Sequence, residues 1–508
     1  MCFAQRGFNE LSMKTEWQAP TFLILTWWLA ALLVDFIGDF PLNDDWHYGA
    51  LVRSHLESGH FLLGDEISPN LFLQLFWGEL FCRLGGGFSF TWLRLSTLVL
   101  GWAAVLLMYG ILRRRGAGVA PAFWGALLFA FSPVFFSLSF TFMTDVPFLA
   151  AALASIWGFV AFLQTRRPGY RLVGYLFALA AYLIRLPGIF IIPAFELALL
   201  LTATKKRRQW PWFAAGLTLS ISFFLLMEQW VKPALGLSSA AVIGADLLAE
   251  RHLSAPTQQL LQFAKNLLRG VFITGFFCLP LTPQIWRAAK RNGLLQPRRR
   301  WPLLAFVIVL TGVLWWEGWV FPFSEGGNIF YNFGLGPPLL RDWYFFHQPF
   351  PLRMPELLMI ALGGWSQLLG ILLLLLLVCR LTFRLFRTAR FLKSGSSQAR
   401  ISPFSLFLLF FVAAYILSIS AYSYHDRYFL LPFIAGLIWM LPSQKRFPLP
   451  GNILLMTVIG YFSLTATHDY LAWNRTVDQL AHRLEQRGIK SAAIDGGMAY
   501  NGLHNERM

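Results

Sequence analysis

The run LLMIALGGWSQLLGILLLLLLVC, residues 357–379, decides the fold class of this chain. It contains no charged residue, and it is longer than the roughly 20 apolar residues with which an α-helix crosses a bilayer. Over all 508 residues, 56% are hydrophobic and 13% are charged, and the mean hydropathy is +0.55. Because a soluble protein carries about 25% charged residues, the composition indicates an integral membrane protein.

Similar apolar runs recur along the chain and predict an all-α polytopic membrane protein of about 13 transmembrane helices. The predicted spans of the first half are 20–38, 92–112, 119–136, 147–164, a hairpin of two short helices broken at Arg185–Gly188, 211–230 and 266–283. The later spans are 301–321, 357–379, 403–420, 429–442 and 450–466. Residues 1–466 are therefore predicted to form a transmembrane domain, and residues 467–508 a small tail with a helix at 476–487 and a strand at 489–494.

The net charge of +17 is concentrated in short clusters between the apolar runs, among them Arg113–Arg115, Lys205–Arg208 and Arg298–Arg300. Lys and Arg are enriched in cytoplasmic loops. The pattern predicts a cytoplasmic amino terminus and a carboxyl terminus on the outer face, and it argues against nucleic acid as a partner. The cysteines at 2, 82, 278 and 379 have no paired spacing that would indicate a metal or disulfide framework.

An acidic stretch, Asn43-Asp44-Asp45-Trp46-His47-Tyr48-Gly49, directly follows the first predicted span. A carboxylate that is buried without a partner costs several kcal/mol, so the pair either lies in water or lines a site. The outer loop that contains it, residues 39–92, has amphipathic patterns on both sides of Gly59. These patterns predict two interfacial helices along the membrane.

Further carboxylates and cations are predicted on the same outer face, near helix ends. The acids are Asp145, Glu325, Asp342 and Asp426, and the bases are Arg94, Arg185, Lys265 and Arg427. A membrane-boundary site of this composition suits a substrate with a lipid tail and a charged head group. A carboxylate can act there as general base, which contributes about 10²- to 10⁴-fold, and Arg or Lys can stabilise a phosphate leaving group.

These motifs resemble the GT-C superfamily of integral membrane glycosyltransferases, especially the branch of protein O-mannosyltransferases and aminoarabinose lipid A transferases. The acidic pair after the first span is similar to that of the superfamily, and Leu93–Thr97 and Met143–Pro147 match in order. His425–Tyr428 and Ile494–Gly497 look like the bacterial relatives of that branch. The resemblance covers most of residues 20–200 well and the remainder loosely.

The resemblance implies a GT-C-like fold and a hexosyl- or pentosyltransferase that uses a polyprenyl-phosphate-linked sugar. Transfer to an acceptor hydroxyl would invert the anomeric carbon and take place on the outer, periplasmic face of a bacterial inner membrane. The family's first acid is its usual base, which implies Asp44, with Asp45 orienting the acceptor or assisting. A second Asp stands where the family commonly has Glu, so the choice between the two carboxylates stays open.

Five other residues are candidates for binding the donor phosphate or the substrate. Arg94 matches an arginine that the family requires near its site, and the others are His47, Asp145, Arg185 and Arg427. Each has a simpler interpretation: Asp145 could only cap its helix, Arg94 and Arg185 could be interfacial anchors, and Arg427 could only pair with Asp426.

Two rival functions and the question of a metal stay open at this point. A membrane transporter or lipid flippase would use charges inside helices, and Glu196 and Glu228 are candidates for that role. A catalytically silent scaffold is the other rival. No cofactor is predicted, but a divalent metal is left open, with Asp44 and Asp145 as its first candidate ligands. The sequence does not identify the acceptor, which could be a lipid, a glycan or a protein.

Overall fold

The structure is a computed structural model that describes residues 2–59, 70–203, 206–234, 256–316, 328–330, 335, 356–392, 402–420, 425–444 and 447–505. The predicted outer acids Glu325 and Asp342 lie outside these ranges. Every regular element within them is helical. The all-α fold predicted from the sequence is confirmed.

The helices of the first half are α1 Cys2–Val34, α2 Asp45–Ser58, α3 Phe72–Leu84, α4 Phe90–Arg114, α5 Val119–Ala130, α6 Pro133–Leu138, α7 Asp145–Thr165, α8 Pro168–Tyr182, α9 Ile191–Thr202 and α10 Lys206–Leu226. Those of the second half are α11 Pro256–Phe277, α12 Thr282–Arg291, α13 Pro297–Trp316, α14 Glu356–Leu392, α15 Pro403–Ser420, α16 Leu430–Met440, α17 Pro450–Gln486 and α18 Gly497–Asn505. Short 3₁₀ turns, Leu186–Phe190 and Asp426–Phe429, lead into α9 and α16.

Several helices have the length and apolarity of membrane spans, so the chain is an integral membrane protein. In the described ranges these are Phe90–Arg114, Asp145–Thr165, Lys206–Ala234 and Ala361–Cys379, and the bent pair α11–α12 adds a fifth. Shorter apolar helices occur in α1, α5, α9, α13 and α15. The predicted total of about 13 spans stays a prediction.

The buried centre of the protein is α7, which packs against α4 and α8. Its buried side chains are mostly small, including four of the five residues at 150–154, which are alanine. A Cβ on Gly158 would lie 2.8 Å from the backbone nitrogen of Gly174 in α8. Small residues at such positions let helix backbones approach closely where no hydrophobic effect drives them together.

Three predicted elements were wrong in detail. The span at 119–136 breaks between α5 and α6, because Pro133 lacks an amide donor and holds Ser132 in an extended conformation. The span predicted at 266–283 is also broken, because α11 ends at Phe277 and meets the following helix at a bend of 64°. The strand predicted at 489–494 is instead a 3₁₀ turn, Ser491–Ala493, and the described part of the chain contains no strand that could pair with it.

The helices that carry candidate site residues have a common polarity. Arg94 lies in the first turns of α4, and Asp145 begins α7, whereas Arg113 and Arg114 end α4 and Arg166 caps the end of α7. At a rise of 1.5 Å per residue, α4 is about 37 Å long and α7 about 31 Å long. The candidate site and the basic clusters therefore lie at opposite ends of the same helices.

Candidate active site

The loop between α1 and α2, residues 35–44, positions the acidic pair. It contains three residues with positive φ: Asp35 at 55°, Gly38 at 152° and Asn43 at 54°. Left-handed backbone of this kind is uncommon outside glycine and needs support from its surroundings. Thr91 supplies part of it, because its hydroxyl donates to the Gly38 carbonyl at 2.9 Å and accepts from the Gly38 amide at 3.0 Å.

Arg94 is buried against the same loop and points its guanidinium at backbone carbonyls. Nη1 donates to Gly38 at 2.8 Å and to Phe36 at 3.2 Å, Nη2 donates to the carbonyl of Phe40, and the cation lies 4.2 Å above the Phe40 ring. The side chain is fully shielded from solvent. These contacts support a role for Arg94 in holding the loop and give it no exposed donor for a substrate phosphate, which was its predicted role.

Asp45 is the inward-facing member of the acidic pair and is completely buried. Its Oδ1 accepts from the Leu42 amide, and its Oδ2 accepts from the Phe142 amide at 3.3 Å. Burial raises its pKa to about 7, against the lowering effects of Arg94 and of the two amide hydrogen bonds. Asp45 thus ties the start of α2 to the segment that enters α7.

Asp44 is the accessible member of the pair. Its side chain is 28% exposed, and although it stands at the N-cap position of α2, it makes no capping hydrogen bond. Burial raises its pKa above the usual range, with Asp145 adding to the increase, while Arg427 opposes it most and His47 opposes it further. A carboxylate with a raised pKa that the helix itself does not engage has the properties of a general base.

Arg427 brings Asp44 and Asp145 into one cluster, although more than 250 residues separate it from each of them. Its Nη2 lies 4.0 Å from Asp44 Oδ2, and its Nε lies 3.8 Å from Asp145 Oδ2. Both distances exceed those of a hydrogen bond. Asp145 is buried and also accepts from Nη1 of Arg185, whose cation lies 4.8 Å above the Tyr428 ring.

The position of Arg427 is fixed by its neighbour Asp426. The buried Asp426 carboxylate accepts from the amides of Ile329 and Phe330 at 3.0 and 2.9 Å, and its own amide donates to Asn328 at 2.9 Å. Burial raises its pKa to about 6, although these amides and Arg427 lower it. Asp426 therefore engages the backbone of residues 328–330, while Arg427 extends to Asp44 and Asp145.

The structure brings four of the predicted residues, Asp44, Asp145, Arg185 and Arg427, into one cluster of alternating charge. His47 is one turn along α2 from Asp44 and lowers the pKa of Asp44. Tyr48 is adjacent; burial raises the pKa of its phenol, and Asp44 raises it further, so it remains a hydrogen-bond donor. The cluster is thus a largely buried group of paired charges at one end of the helices.

The donor chemistry of this cluster does not fit a divalent metal. Arg427 lies between Asp44 and Asp145, so a cation that bridged these carboxylates would meet a guanidinium within about 4 Å. In the described part of the chain, no group of three or more His, Cys, Asp or Glu residues is placed to hold a metal ion.

The two acids inside helices, which suggested a transporter, are both paired. Glu196 accepts from Arg171 Nε at 3.0 Å, from the Tyr175 hydroxyl at 2.7 Å and from Gln209 at 3.2 Å. Glu228 accepts from Lys232 across a π-helical turn. The Glu196 contacts join three helices, the Glu228 pair lies within one, and both leave the cluster around Asp44 as the best candidate for chemistry.

Two residues that contact the loop before Asp44 were missed by the sequence analysis. Tyr470 donates its hydroxyl to Asn43, and Arg475 donates to the carbonyls of Asp35 and Ile37. Both lie in α17, more than 400 residues along the chain. No local motif marks them, and Asn474-Arg475-Thr476 matches only a glycosylation sequon.

Residues 72–227 match the family model described as dolichyl-phosphate-mannose-protein mannosyltransferase. The predicted resemblance to GT-C glycosyltransferases is confirmed. The matched segment begins at α3 and ends just after α10, so it includes Arg94, Asp145 and Arg185, whereas Asp44 and Arg427 lie outside it. No curated protein matches the chain.

Two solved structures resemble the chain at low identity. The archaeal oligosaccharyltransferase AglB from Archaeoglobus fulgidus, in complex with an inhibitory peptide and a dolichol-phosphate, is 13% identical with a TM-score of 0.42, over 91% of this chain and 58% of that chain. ArnT from Cupriavidus metallidurans, bound to undecaprenyl phosphate, is 13% identical with a TM-score of 0.38, over 95% of this chain and 81% of that chain. The chain spans less than two thirds of the length of AglB. Neither likeness carries an argument about the site, which rests on its own contacts.

Proposed function

We propose that the protein is a membrane glycosyltransferase that moves a sugar from a polyprenyl-phosphate-linked donor to an acceptor hydroxyl, with Asp44 as general base. The observation that carries this proposal is the position of Arg427, which lies within 4.0 Å of both a partly exposed and a buried carboxylate. A carboxylate base next to a guanidinium group suits a reaction that removes a proton from an acceptor hydroxyl and releases a phosphate. The family match over residues 72–227 supports the reaction class.

The proposed step is a single displacement at the anomeric carbon. Asp44 takes the proton from the acceptor hydroxyl, the acceptor oxygen forms the new bond to the anomeric carbon, and the bond from that carbon to the phosphate oxygen breaks. The polyprenyl phosphate leaves with the electron pair of that bond and with one more negative charge than the donor phosphate carried. Arg427 and Arg185 stabilise this increase in charge, and the attack from the opposite side inverts the sugar.

An apolar groove next to the site supports a lipid-linked donor. It has a volume of about 250 Å³ and is lined by α11, α14, α15 and α16, from Phe429 near the site to Arg115 and Met440 at the other end. Phe429 follows Arg427 by two residues. The stretch of α16 from Leu430 to Met440 spans about 16 Å, roughly half the hydrocarbon thickness of a bilayer. A prenyl chain in this groove would place its phosphate close to Arg427.

The polarity of α4 and α7 supports a site on the outer, periplasmic face of a bacterial inner membrane. Both helices begin at the site and end at arginines, and basic residues mark the cytoplasmic side. With this orientation, the amino terminus lies in the cytoplasm and the tail from α18 onward lies in the periplasm. The acceptor hydroxyl can belong to a lipid, a glycan or a protein, and the sugar to either the hexose or the pentose class.

Replacement of Asp44 by Asn tests the proposal. With membranes supplied with a lipid-linked sugar, we expect D44N to lower kcat by about 10²- to 10⁴-fold, because Asn cannot accept the proton. Glu57→Gln is the matched control, since Glu57 is on the same helix but its side chain is 66% exposed. Full transfer by D44N would remove Asp44 from the base role, and lipid or sugar uptake without transfer by the wild type would favour a transporter instead.

A further inference from the structure

We infer that the outer end of α17 is part of the catalytic apparatus, with Tyr470 and Arg475 as positioning residues that hold the loop carrying Asp44. The effect on catalysis rests on the proposed function. The positioning of the loop rests only on hydrogen bonds between residues 35–43 and α17, which are more than 400 positions apart in sequence.

Arg475 and Arg94 bind alternate carbonyls of the same segment, residues 35–40. Arg475 donates from Nη2 to the carbonyls of Asp35 at 2.6 Å and Ile37 at 3.0 Å, whereas Arg94 donates to those of Phe36, Gly38 and Phe40. Neither arginine donates to a carbonyl that the other one binds. The segment is thereby fixed from α4 on one side and from α17 on the other.

The two guanidinium groups also lie near the same aromatic ring. The cation of Arg475 lies 5.7 Å from the centre of the Phe40 ring, whose distance to the cation of Arg94 is 4.2 Å. Arg475 further pairs with the Asp35 carboxylate at 2.9 Å. The planar fork of Arg spreads its donors over separate nitrogens, so Nη2 reaches two carbonyls while Nη1 reaches the carboxylate.

Tyr470 acts one residue before the proposed base. Its hydroxyl donates to Asn43 Oδ1 at 2.7 Å, and both side chains are buried, at 7% and 3% exposed. Asn43 has a φ of 54°. Asn tolerates this left-handed conformation, but a contact such as that with Tyr470 is needed to favour it over the commoner backbone conformations. Because Asn43 precedes Asp44, a rotation of its backbone would turn the Asp44 carboxylate away from Arg427.

The tail beyond α17 reinforces this arrangement from the other side of α2. A Cβ on Gly502 of α18 would lie 2.3 Å from the Trp46 ring, and Leu503 packs on the apolar cluster around Leu51 and Val52. Only glycine permits so close an approach. The start of α2, and with it Asp44, lies between the body of the protein and the tail.

The test compares Tyr470→Phe with Tyr461→Phe, a matched control on the same helix whose side chain is 71% exposed. The first readout is hydrogen–deuterium exchange of the detergent-solubilised full chain over residues 35–45, which is independent of activity. We expect faster exchange there in Y470F and unchanged exchange in Y461F, at equal melting temperatures. Unchanged exchange in Y470F would overturn the inference.

The second readout is the kinetics of sugar transfer. We expect Y470F to lower kcat by about 10- to 100-fold, the size of effect that a small misplacement of a catalytic group produces, with KM nearly unchanged. The double variant Asn43→Gly/Tyr470→Phe should be no slower than the slower single variant, because Tyr470 acts through Asn43. If Y470F shows faster exchange but a wild-type kcat, the catalytic role of Tyr470 is overturned. If the wild-type protein itself transfers no sugar, the proposed function is overturned, and the exchange experiment still tests whether Tyr470 holds the loop.

Discussion

Replacing Arg427 by Met removes the cation that lies between Asp44 and Asp145. At a charge separation of 4.0 Å, the attraction to Asp44 is about 4 kcal/mol for an effective dielectric constant of about 20 and about 1 kcal/mol in water. Since the Asp44 side chain is 28% exposed, the true value lies between these limits. The loss of Arg427 removes this attraction and therefore raises the pKa of Asp44.

The sign of the effect on activity follows from the role of Asp44. A general base works only when it is ionised, and burial already raises its pKa. Removing the cation disfavours the ionised form further, so the acidic limb of the kcat profile should move to higher pH. We expect R427M to be slow at pH 7 and to recover part of its kcat as the pH rises.

The assay is transfer from a lipid-linked sugar at saturating donor, measured across the pH range at which the membranes are stable. Arg427→Lys is the matched variant, because it keeps the charge and loses the fork; its acidic limb should stay near that of the wild type, with a higher KM for the donor. An R427M enzyme that folds, as judged by its melting temperature, and keeps the wild-type acidic limb would refute the electrostatic reasoning.

Two further predictions concern the second carboxylate and the metal. Burial raises the pKa of Asp45 to about 7, above its unfolded value, so its contribution to stability is complete below pH 4 and is lost as the pH rises through 7. Between pH 5 and pH 8, the melting temperature of Asp45→Asn should therefore fall less than that of the wild type. Its kcat should fall less than that of D44N. A melting temperature that falls as much as in the wild type would contradict this reasoning. Because Arg427 lies between the candidate ligands Asp44 and Asp145, transfer should survive exhaustive chelation, and a loss that Mg²⁺ or Mn²⁺ restores would show the reasoning to be wrong.

Local sequence patterns could predict most of the helices, because apolar periodicity and the residues at helix ends depend on near neighbours. Pro133 is an instance where local chemistry was visible but its effect on the span at 119–136 was underestimated. The bend between α11 and α12 is a second such instance, because Pro280 and Pro283 lie at it. The 3₁₀ turn in place of the predicted strand is different, since a strand needs a partner that a local pattern does not reveal.

The candidate site was predicted residue by residue from motifs, but its internal contacts were not. Arg94 illustrates the difference: its place near the acidic loop follows from the motif, whereas its hydrogen bonds to Phe36, Gly38 and Phe40 depend on how α4 meets that loop. Tyr470 and Arg475 had no motif at all. Their contacts arise because α17 runs unbroken for 37 residues, well beyond its predicted end at residue 466.

The geometry of a helix start favours Asp44 over Asp45 as the proposed base. Successive residues on a helix point about 100° apart, so the carboxylates of Asp44 and Asp45 cannot both face the same space. Asp45 points inward, where the amides of Leu42 and Phe142 use both its oxygens. The Asp44 carboxylate instead lies near Arg427 and makes no capping hydrogen bond. The second carboxylate is thus occupied in building the site, which supports the proposal that the first acts as the base.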